Sequence, residues 1–164
     1  MKEITKEVKK TTGIPVFVKI SPNLTDLKIP VKAAIDGGAD GIVLINTVHG
    51  MAIDIKYKKP ILSNKFGGLS GPAIKPIAIK FIYEIFSEFG KKVPLIGVGG
   101  VVNWQDVIEF LLAGATAVQV GTAIGYCQDP IKISIFKELI DGLTNYLKIE
   151  GFNNVSELTG LAHQ

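Results

Sequence analysis

Apolar residues along this chain occur alternately as short continuous runs and as stretches with helical spacing. Four runs have the length of buried strands, at residues 16–20, 41–47, 94–98 and 117–121. Helical spacing predicts helices over residues 1–11, 30–38, 72–89, 103–113 and 129–147. Strands that alternate with helices are typical of an α/β protein with a parallel sheet.

Small-residue turns precede two of the predicted strands and suggest repeated βα units. GADG (38–41) leads into one strand, and AGAT (113–116) leads into another. Four units are too few for a closed eight-stranded barrel, which needs about 250 residues. Two architectures therefore stay open: a doubly wound sheet, and half of a (β/α)8 barrel.

The connection over residues 48–71 breaks the alternation, because it is long and has no helical period. Alternating apolar residues at Met51, Ile53, Ile55 and Tyr57 predict a small β-excursion. Long connections in compact domains are usually functional or disordered. The glycine-rich end of this one, ahead of Pro72, favours a loop over a ligand.

Two of the predicted strands end in glycine turns that lead into helices. Gly99 and Gly100 follow one strand, and Gly121 and Thr122 follow the other. Glycine lets the backbone approach an anion, and a helix N-terminus adds its positive dipole end. The pattern favours a phosphate cradle, with ordinary turn chemistry as the alternative.

Other polar residues also occupy the carboxyl ends of strands, the active end of such folds. Lys19 lies inside an apolar run and would meet an anion or a cofactor, unless it points to solvent. Asn46 and Thr47 offer donors and acceptors suited to a planar polar ring, although a turn cap would use the same residues.

The amino-acid composition argues against several classes of function. The chain has 164 residues, is 47% apolar and carries a net charge of +3, with scattered lysines that do not favour nucleic-acid binding. The single Cys127 excludes an internal disulfide and is expected to be inert. No apolar segment suggests a signal peptide or a membrane span, so we expect a cytoplasmic protein.

Further reactive residues do not assemble into a site by sequence. His49 has only His163 as a second histidine, so no metal site is expected. The serines lack a histidine in a suitable frame for a triad. Trp104 opens a predicted helix, and we expect it to pack rather than to stack on a ligand.

Six motifs together resemble the class 1 dihydroorotate dehydrogenases, and the SPN and INT variants favour the NAD-linked, two-subunit branch. They are VKISPN (18–23), GADGIVLINT (38–47), MAIDIKYKKPILSN (51–64), GGLSGPAIKP (67–76), IGVGGV (96–101) and AVQVGTA (117–123). The resemblance implies a (β/α)8 barrel that binds FMN and oxidises dihydroorotate to orotate in pyrimidine biosynthesis. It also implies that residues 1–164 form a single FMN-binding half-barrel domain, the C-terminal half of that barrel.

The resemblance assigns roles to nine residues. It implies cofactor contacts for Lys19, Ile45, Gly71, Gly99, Gly100, Gly121 and Thr122, and substrate contacts for Asn46 and Thr47. The catalytic base of the family is a cysteine or serine in the N-terminal half, and Cys127 lies in the wrong motif to replace it. We therefore expect no catalytic residue here and little or no activity from this chain alone.

Partners follow from the same resemblance. The NAD-linked branch implies an electron-transfer subunit with FAD and an iron–sulfur cluster. Exposed sheet edges of a half-barrel predict a homo-oligomer or a partner half-barrel. The alternatives are a dihydropyrimidine dehydrogenase-type flavin domain, against which residues 51–64 argue, and a non-catalytic module that binds FMN or phosphate.

Overall fold

The computed structural model describes residues 1–125 and 134–164, in which helices and strands alternate in the predicted order. The helices are α1 Lys2–Thr11, α2 Lys28–Asp36, α3 Lys75–Phe89, α4 Trp104–Leu112, α5 Thr122–Gly125 and α6 Ser134–Glu150. The strands are β1 Phe17–Ile20, β2 Gly41–Leu44, β3 Val48–Gly50, β4 Ile53–Asp54, β5 Lys59–Pro60, β6 Gly67–Leu69, β7 Leu95–Val98 and β8 Ala117–Gln119.

The main sheet is parallel, with the strand order β1-β2-β7-β8. Strands therefore follow one another in chain order, whereas a doubly wound sheet reverses its order at a switch point. Because parallel crossovers are right-handed, sequential order sends every crossover to the same face of the sheet. The α/β prediction is confirmed, and the topology is that of half a barrel rather than of a doubly wound sheet.

The core lies between the sheet and its helices. Val18 pairs with Ile42, and Ile42 pairs with Leu95, so these side chains share the helix-covered face. Phe110 of α4 is fully buried, and its ring lies where a Cβ on Gly97 would come within 2.4 Å. Each fully buried side chain of this kind stabilises the fold by about 1.5–3 kcal/mol, so this face supplies most of the stability.

The two small-residue turns adopt the same structure. Gly38 and Gly114 both have positive φ values, +90° and +118°. The N–H of the next residue donates to a carbonyl five residues back, Ala39 to Ala34 and Ala115 to Phe110, each at about 3 Å. Both turns are Schellman-type helix ends, which glycine favours. The predicted repeat is confirmed as a repeat of structure.

Several predicted boundaries were wrong by a few residues. The predicted helix over 30–38 begins at Lys28, because Pro30 is tolerated within the first turn. The predicted helix over 72–89 opens as a 3-10 turn, Pro72–Ile74, before α3. Part of the predicted helix over 129–147 lies outside the described residues, and α6 continues to Glu150.

The predicted β-excursion over 48–71 is present, although of the four alternating apolar residues only Ile53 lies in a strand. It consists of two hairpins, β3 with β6 and β4 with β5. Ile55 and Tyr57 lie in the turn between β4 and β5, where the Asp54 carboxylate accepts the N–H groups of Lys56 and Tyr57 at 2.9 Å. The local side-chain hydrogen bonds replace the strand ladder there.

The end of the chain folds back over α3 and α4. Leu158 is fully buried, and the His163 ring stacks on Tyr83 with centroids 3.8 Å apart. Trp104 packs against α6 at Gly142, as predicted for a packing residue. In the described ranges, no helix combines the length and the apolar character needed to cross a bilayer.

Candidate functional site

A cavity of about 180 Å³ lies at the carboxyl ends of the parallel strands. All nine residues to which the sequence assigned ligand contacts line it. The full lining is Lys19, Ile45, Asn46, Thr47, Ser70, Gly71, Ile74, Val98, Gly99, Gly100, Val101, Gln119, Gly121 and Thr122. The tertiary structure thus brings together five segments that are far apart in sequence, while the binding roles themselves stay predictions.

A larger depression of about 650 Å³ lies elsewhere, between the end of α3 and the end of the chain. Its lining includes Tyr83, Phe86, Lys92 and His163, and none of the predicted site residues. In a parallel α/β protein, ligands bind at the carboxyl ends of the strands. The smaller cavity is therefore the candidate site.

The Gly99 and Gly100 turn needs glycine for reasons within the fold. Both residues have positive φ, +137° and +80°. A Cβ on Gly100 would also lie 2.8 Å from the Gly71 carbonyl oxygen and 2.9 Å from the Lys75 Cβ. The N–H groups of Gly99 and Gly100 make no hydrogen bond to any residue that the structure describes, so they are free to bind an anion.

Gly121 differs from these two glycines. A Cβ there would meet no atom of the described chain within 4 Å, and its φ lies outside the left-handed range. Packing therefore gives no reason for glycine at this position. A side chain would instead occupy open space at the cavity, where a ligand could approach the backbone.

Lys19 lies on the face of the sheet opposite to the helices. It pairs in register with Val43, and its side chain is exposed at the cavity. Among the described residues it has no ion-pair partner within 4 Å. The sequence offered two interpretations of Lys19, a ligand contact and a side chain that points to solvent. Both agree with the structure, because the exposed side chain also lines the cavity.

Asn46 and Thr47 leave the sheet but remain held by it. The Asn46 N–H donates to the Ile20 carbonyl at 3.0 Å, and the Asn46 Oδ1 accepts the Thr47 N–H at 2.8 Å. The Asn46 Nδ2 donates to no residue in the described part of the chain, so it can donate to a ligand carbonyl. Gly68 lies so close that a Cβ would approach the Thr47 Oγ1 to 2.2 Å.

Asn23 supports this strand end and was missed by sequence reasoning. Its Nδ2 donates to the Thr47 carbonyl at 3.0 Å, and its Oδ1 accepts the His49 N–H at 2.8 Å. The side chain therefore binds the backbone on both sides of Val48. The Ser-Pro-Asn turn of residues 21–23 was the available signal, because asparagine often bonds to nearby backbone in turns.

Asp106 is a second residue that the sequence analysis missed. It is only 3% exposed and forms a capping box with Asn103 at the start of α4. Its carboxylate accepts the Val102 and Asn103 N–H groups at 2.8 and 3.1 Å and the Lys75 Nζ at 2.7 Å. The Asn-x-x-Asp spacing of residues 103–106 was the signal.

The electrostatics of this cluster follow from its contacts. Burial by itself would raise the pKa of Asp106, but hydrogen bonds from Lys75, Val102 and Asn103 together hold that pKa below its usual value. Hydrogen bonds to Asp106 and Glu109 raise the pKa of Lys75. Both groups are therefore charged at neutral pH.

The remaining lining residues were also missed, namely Ser70, Ile74, Val98, Val101 and Gln119. Val98 and Gln119 are partners in the register of β7 and β8 and share the face that carries Lys19. Strand alternation from Lys19 could have found them only after the register was known. Cys127 lies outside the described residues.

The fold and site define an α/β protein of the barrel type that has an anion-compatible cavity at the carboxyl ends of its strands. The family model for dihydroorotate dehydrogenase matches residues 1–147. The chain belongs to this family, and the resemblance that the sequence indicated is confirmed.

Similar curated proteins carry related names. The chain is 49% identical over 160 residues to the dihydroorotate dehydrogenase B (NAD(+)) catalytic subunit of Pyrococcus abyssi, which covers 98% of this chain and 52% of that protein. It is 48% identical to the protein of the same name from Methanocaldococcus jannaschii, covering 99% of this chain and 51% of that one. The chain thus spans about half the length of the curated relatives that it matches.

Proposed function

We propose that this chain forms the FMN- and orotate-binding half of a dihydroorotate dehydrogenase barrel, which oxidises dihydroorotate to orotate. The observation that carries the proposal is the convergence of all nine predicted contact residues on one cavity. Bound FMN would supply the acceptor for the hydride that dihydroorotate loses. The chain's own residues hold and orient the two ligands.

The cavity chemistry fits FMN. Among the described residues, the N–H groups of Gly99 and Gly100 have no acceptor and no atom lies near a Cβ at Gly121, which suits a phosphate that binds backbone donors. Lys19 offers a cation without an ion-pair partner among the described residues, suited to the negative charge of a reduced flavin ring system, and Ile45 offers an apolar wall. Asn46 and Thr47 can hydrogen-bond the polar edge of the orotate ring.

The size of the cavity supports a shared site. Small-molecule sites usually enclose about 300–1000 Å³, and this one encloses about 180 Å³. We propose that a second half-barrel completes the site, supplied by further chain or by a partner molecule. The open sheet edges are where such a half would pair.

The catalytic base also belongs to that second half in this proposal. Among the described lining residues, Lys19 is the one ionisable side chain, and no carboxylate, histidine or cysteine lines the cavity. In this proposal Lys19 contacts the flavin, so it is not assigned the role of the base. The chain by itself is therefore expected to bind its ligands and to leave dihydroorotate unoxidised.

The test is a titration of the purified chain with FMN and then with orotate, followed by flavin fluorescence. We expect FMN to bind, and Gly121→Ala to weaken that binding without lowering the melting temperature, since its Cβ meets no described atom. Gly13→Ala is the matched control, because its Cβ would also meet no described atom within 4 Å and it does not line the cavity. Equal FMN affinity in the Gly121→Ala and Gly13→Ala variants would contradict the assigned cradle.

A non-catalytic flavin-binding module is the second candidate, favoured by the absence of a base from the described lining. Addition of dihydroorotate distinguishes the dehydrogenase from the module, once a complementing half-barrel is present. Bleaching of the flavin absorption band then supports the dehydrogenase. An unchanged flavin band in the complemented protein supports the module. Orotate binding in preference to uracil would also exclude a dihydropyrimidine dehydrogenase-type domain.

We also propose an electron-transfer partner with FAD and an iron–sulfur cluster that links the flavin to NAD. The names of the Pyrococcus abyssi and Methanocaldococcus jannaschii relatives support it, because they describe NAD(+) proteins and a catalytic subunit. Copurification of a flavin- and iron-containing subunit with the complete enzyme tests it. Full activity of the complete enzyme with NAD and no second subunit would contradict it.

A further inference from the structure

We infer that Asp106 is a positioning residue for the phosphate end of the site, acting through the Gly99 and Gly100 turn. The inference rests on the proposed function, in which this turn receives the FMN phosphate. Asp106 does not line the cavity, so it does not contact the ligand directly. Its carboxylate instead binds the backbone that directly follows the turn, at Val102 and Asn103.

The contacts of Asp106 exceed what helix capping requires. A capping box needs the bond between the Asp106 side chain and the Asn103 N–H, which is present at 3.1 Å. The same Oδ2 also accepts the Val102 N–H at 2.8 Å, one residue before the cap. That bond fixes the backbone two residues after Gly100 and so sets the direction in which the turn presents its N–H groups.

Lys75 extends this control to the second glycine loop. It is the first residue of α3 and follows Gly71 through the Pro72 turn. Its Nζ lies 2.7 Å from the Asp106 Oδ1, and its Cβ lies 2.9 Å from where a Cβ on Gly100 would be. One buried carboxylate therefore ties together the two loops that carry Gly71 and Gly100.

Charge explains why the pair is needed. A buried carboxylate behind a phosphate site would repel the phosphate if it were unpaired. Lys75 pairs with Asp106 and with Glu109, each at 2.7 Å, so its charge offsets that of the buried Asp106, while half-exposed Glu109 is screened by solvent. The phosphate is therefore left to the backbone N–H groups, whose orientation Asp106 sets.

The experiment compares FMN with riboflavin, which lacks the phosphate. We expect Asp106→Asn and Lys75→Met to lower the affinity for FMN by about tenfold, because the turn then no longer holds its N–H groups toward the phosphate, and to leave riboflavin binding unchanged. Glu109→Gln is the matched control, because it removes the other, half-exposed partner of the same lysine. Lys75→Arg keeps the charge and should restore the preference for FMN.

A second measurement needs no flavin and applies even where Asp106→Asn folds poorly. In ¹⁵N spectra of the ligand-free chain, the Gly99 and Gly100 amide resonances should move in Lys75→Met and stay in Glu109→Gln. Unmoved resonances would overturn the inference. So would an equal loss of FMN and riboflavin affinity in Asp106→Asn, which indicates a purely structural role.

These outcomes separate the inference from the proposed function. A wild-type chain that binds riboflavin as tightly as FMN would overturn the phosphate cradle, and the inference with it. A wild-type preference for FMN that survives in both Asp106→Asn and Lys75→Met would leave the cradle in place and overturn only the role of Asp106.

Discussion

The two faces of the parallel sheet use the same strands for different purposes. The face under the helices carries Val18, Ile42, Leu44 and Leu95, which are packed into the core. The opposite face carries Phe17, Lys19, Ala117 and Gln119, which are exposed, and Val43, which is buried. Parallel sheets are normally covered on both sides. One face therefore stabilises the half-barrel, and the other presents side chains to ligands and to a second half.

The largest difference between the faces should appear when phenylalanine is removed from each. Phe110→Ala leaves a cavity in the helix-covered core and should lower the free energy of unfolding by about 3–5 kcal/mol, since this ring is fully buried. Phe17→Ala should lower it by about 1 kcal/mol or less, since this ring is 48% exposed. Urea denaturation of both variants measures the difference, and equal losses would contradict the assignment of stability to one face.

Two glycines at the carboxyl ends of the strands are expected to differ in the same way. Gly100→Ala should lower the free energy of unfolding by about 1–3 kcal/mol, because the residue has positive φ and its Cβ would lie 2.8 Å from the Gly71 oxygen. Gly121→Ala should change it by no more than about 0.5 kcal/mol. Thermal unfolding distinguishes them. A destabilised Gly121→Ala would show that this glycine serves the fold after all.

The pH dependence of stability tests the buried cluster behind the site. The folded-state pKa of Asp106 is lowered, so its contribution to stability is complete above the usual carboxyl pKa of about 4 and is lost as the pH falls through the lowered value. Wild-type protein should thus lose more stability between neutral and acid pH than Asp106→Asn. Denaturation curves over that pH range measure the loss of stability in each protein. Parallel pH profiles would show that the Asp106 carboxylate does not cause the pH dependence.

The smallest effect on stability is expected at Lys19. Lys19→Met should change the free energy of unfolding by less than about 0.5 kcal/mol, because the side chain is exposed and has no ion-pair partner among the described residues. Flavin affinity should nevertheless fall. Lys80→Met, on the outer surface of α3 beside Glu84, is the control that removes a lysine away from the cavity. Equal flavin affinity in the two variants would show that Lys19 does not contact the flavin.

The sequence identified the residues at the strand ends more completely than the residues that support them by hydrogen bonds. Lys19, Asn46 and the glycine turns were identified because strand patterns and parallel topology place strand carboxyl ends together. Asp106 and Asn23 act through hydrogen bonds to other segments, as in the Lys75 contact that spans 31 positions. The local capping and turn patterns mark these two residues but do not specify their distant partners. The apolar residues of 51–57 likewise predicted the β-excursion but not which of them would lie in its short strands.

The alternation of strands and helices, the small-residue turns and the identity of the strand-end residues can all be predicted from the amino-acid order, because they depend on short-range periodicity and on backbone preferences. The order of the strands, the side on which the helices pack and the meeting of the Gly71 and Gly100 loops were decided by the tertiary structure. Those features depend on register and on contacts between distant segments. They form only when the helix-covered face is buried, and that burial sets which side chains are left to line the cavity.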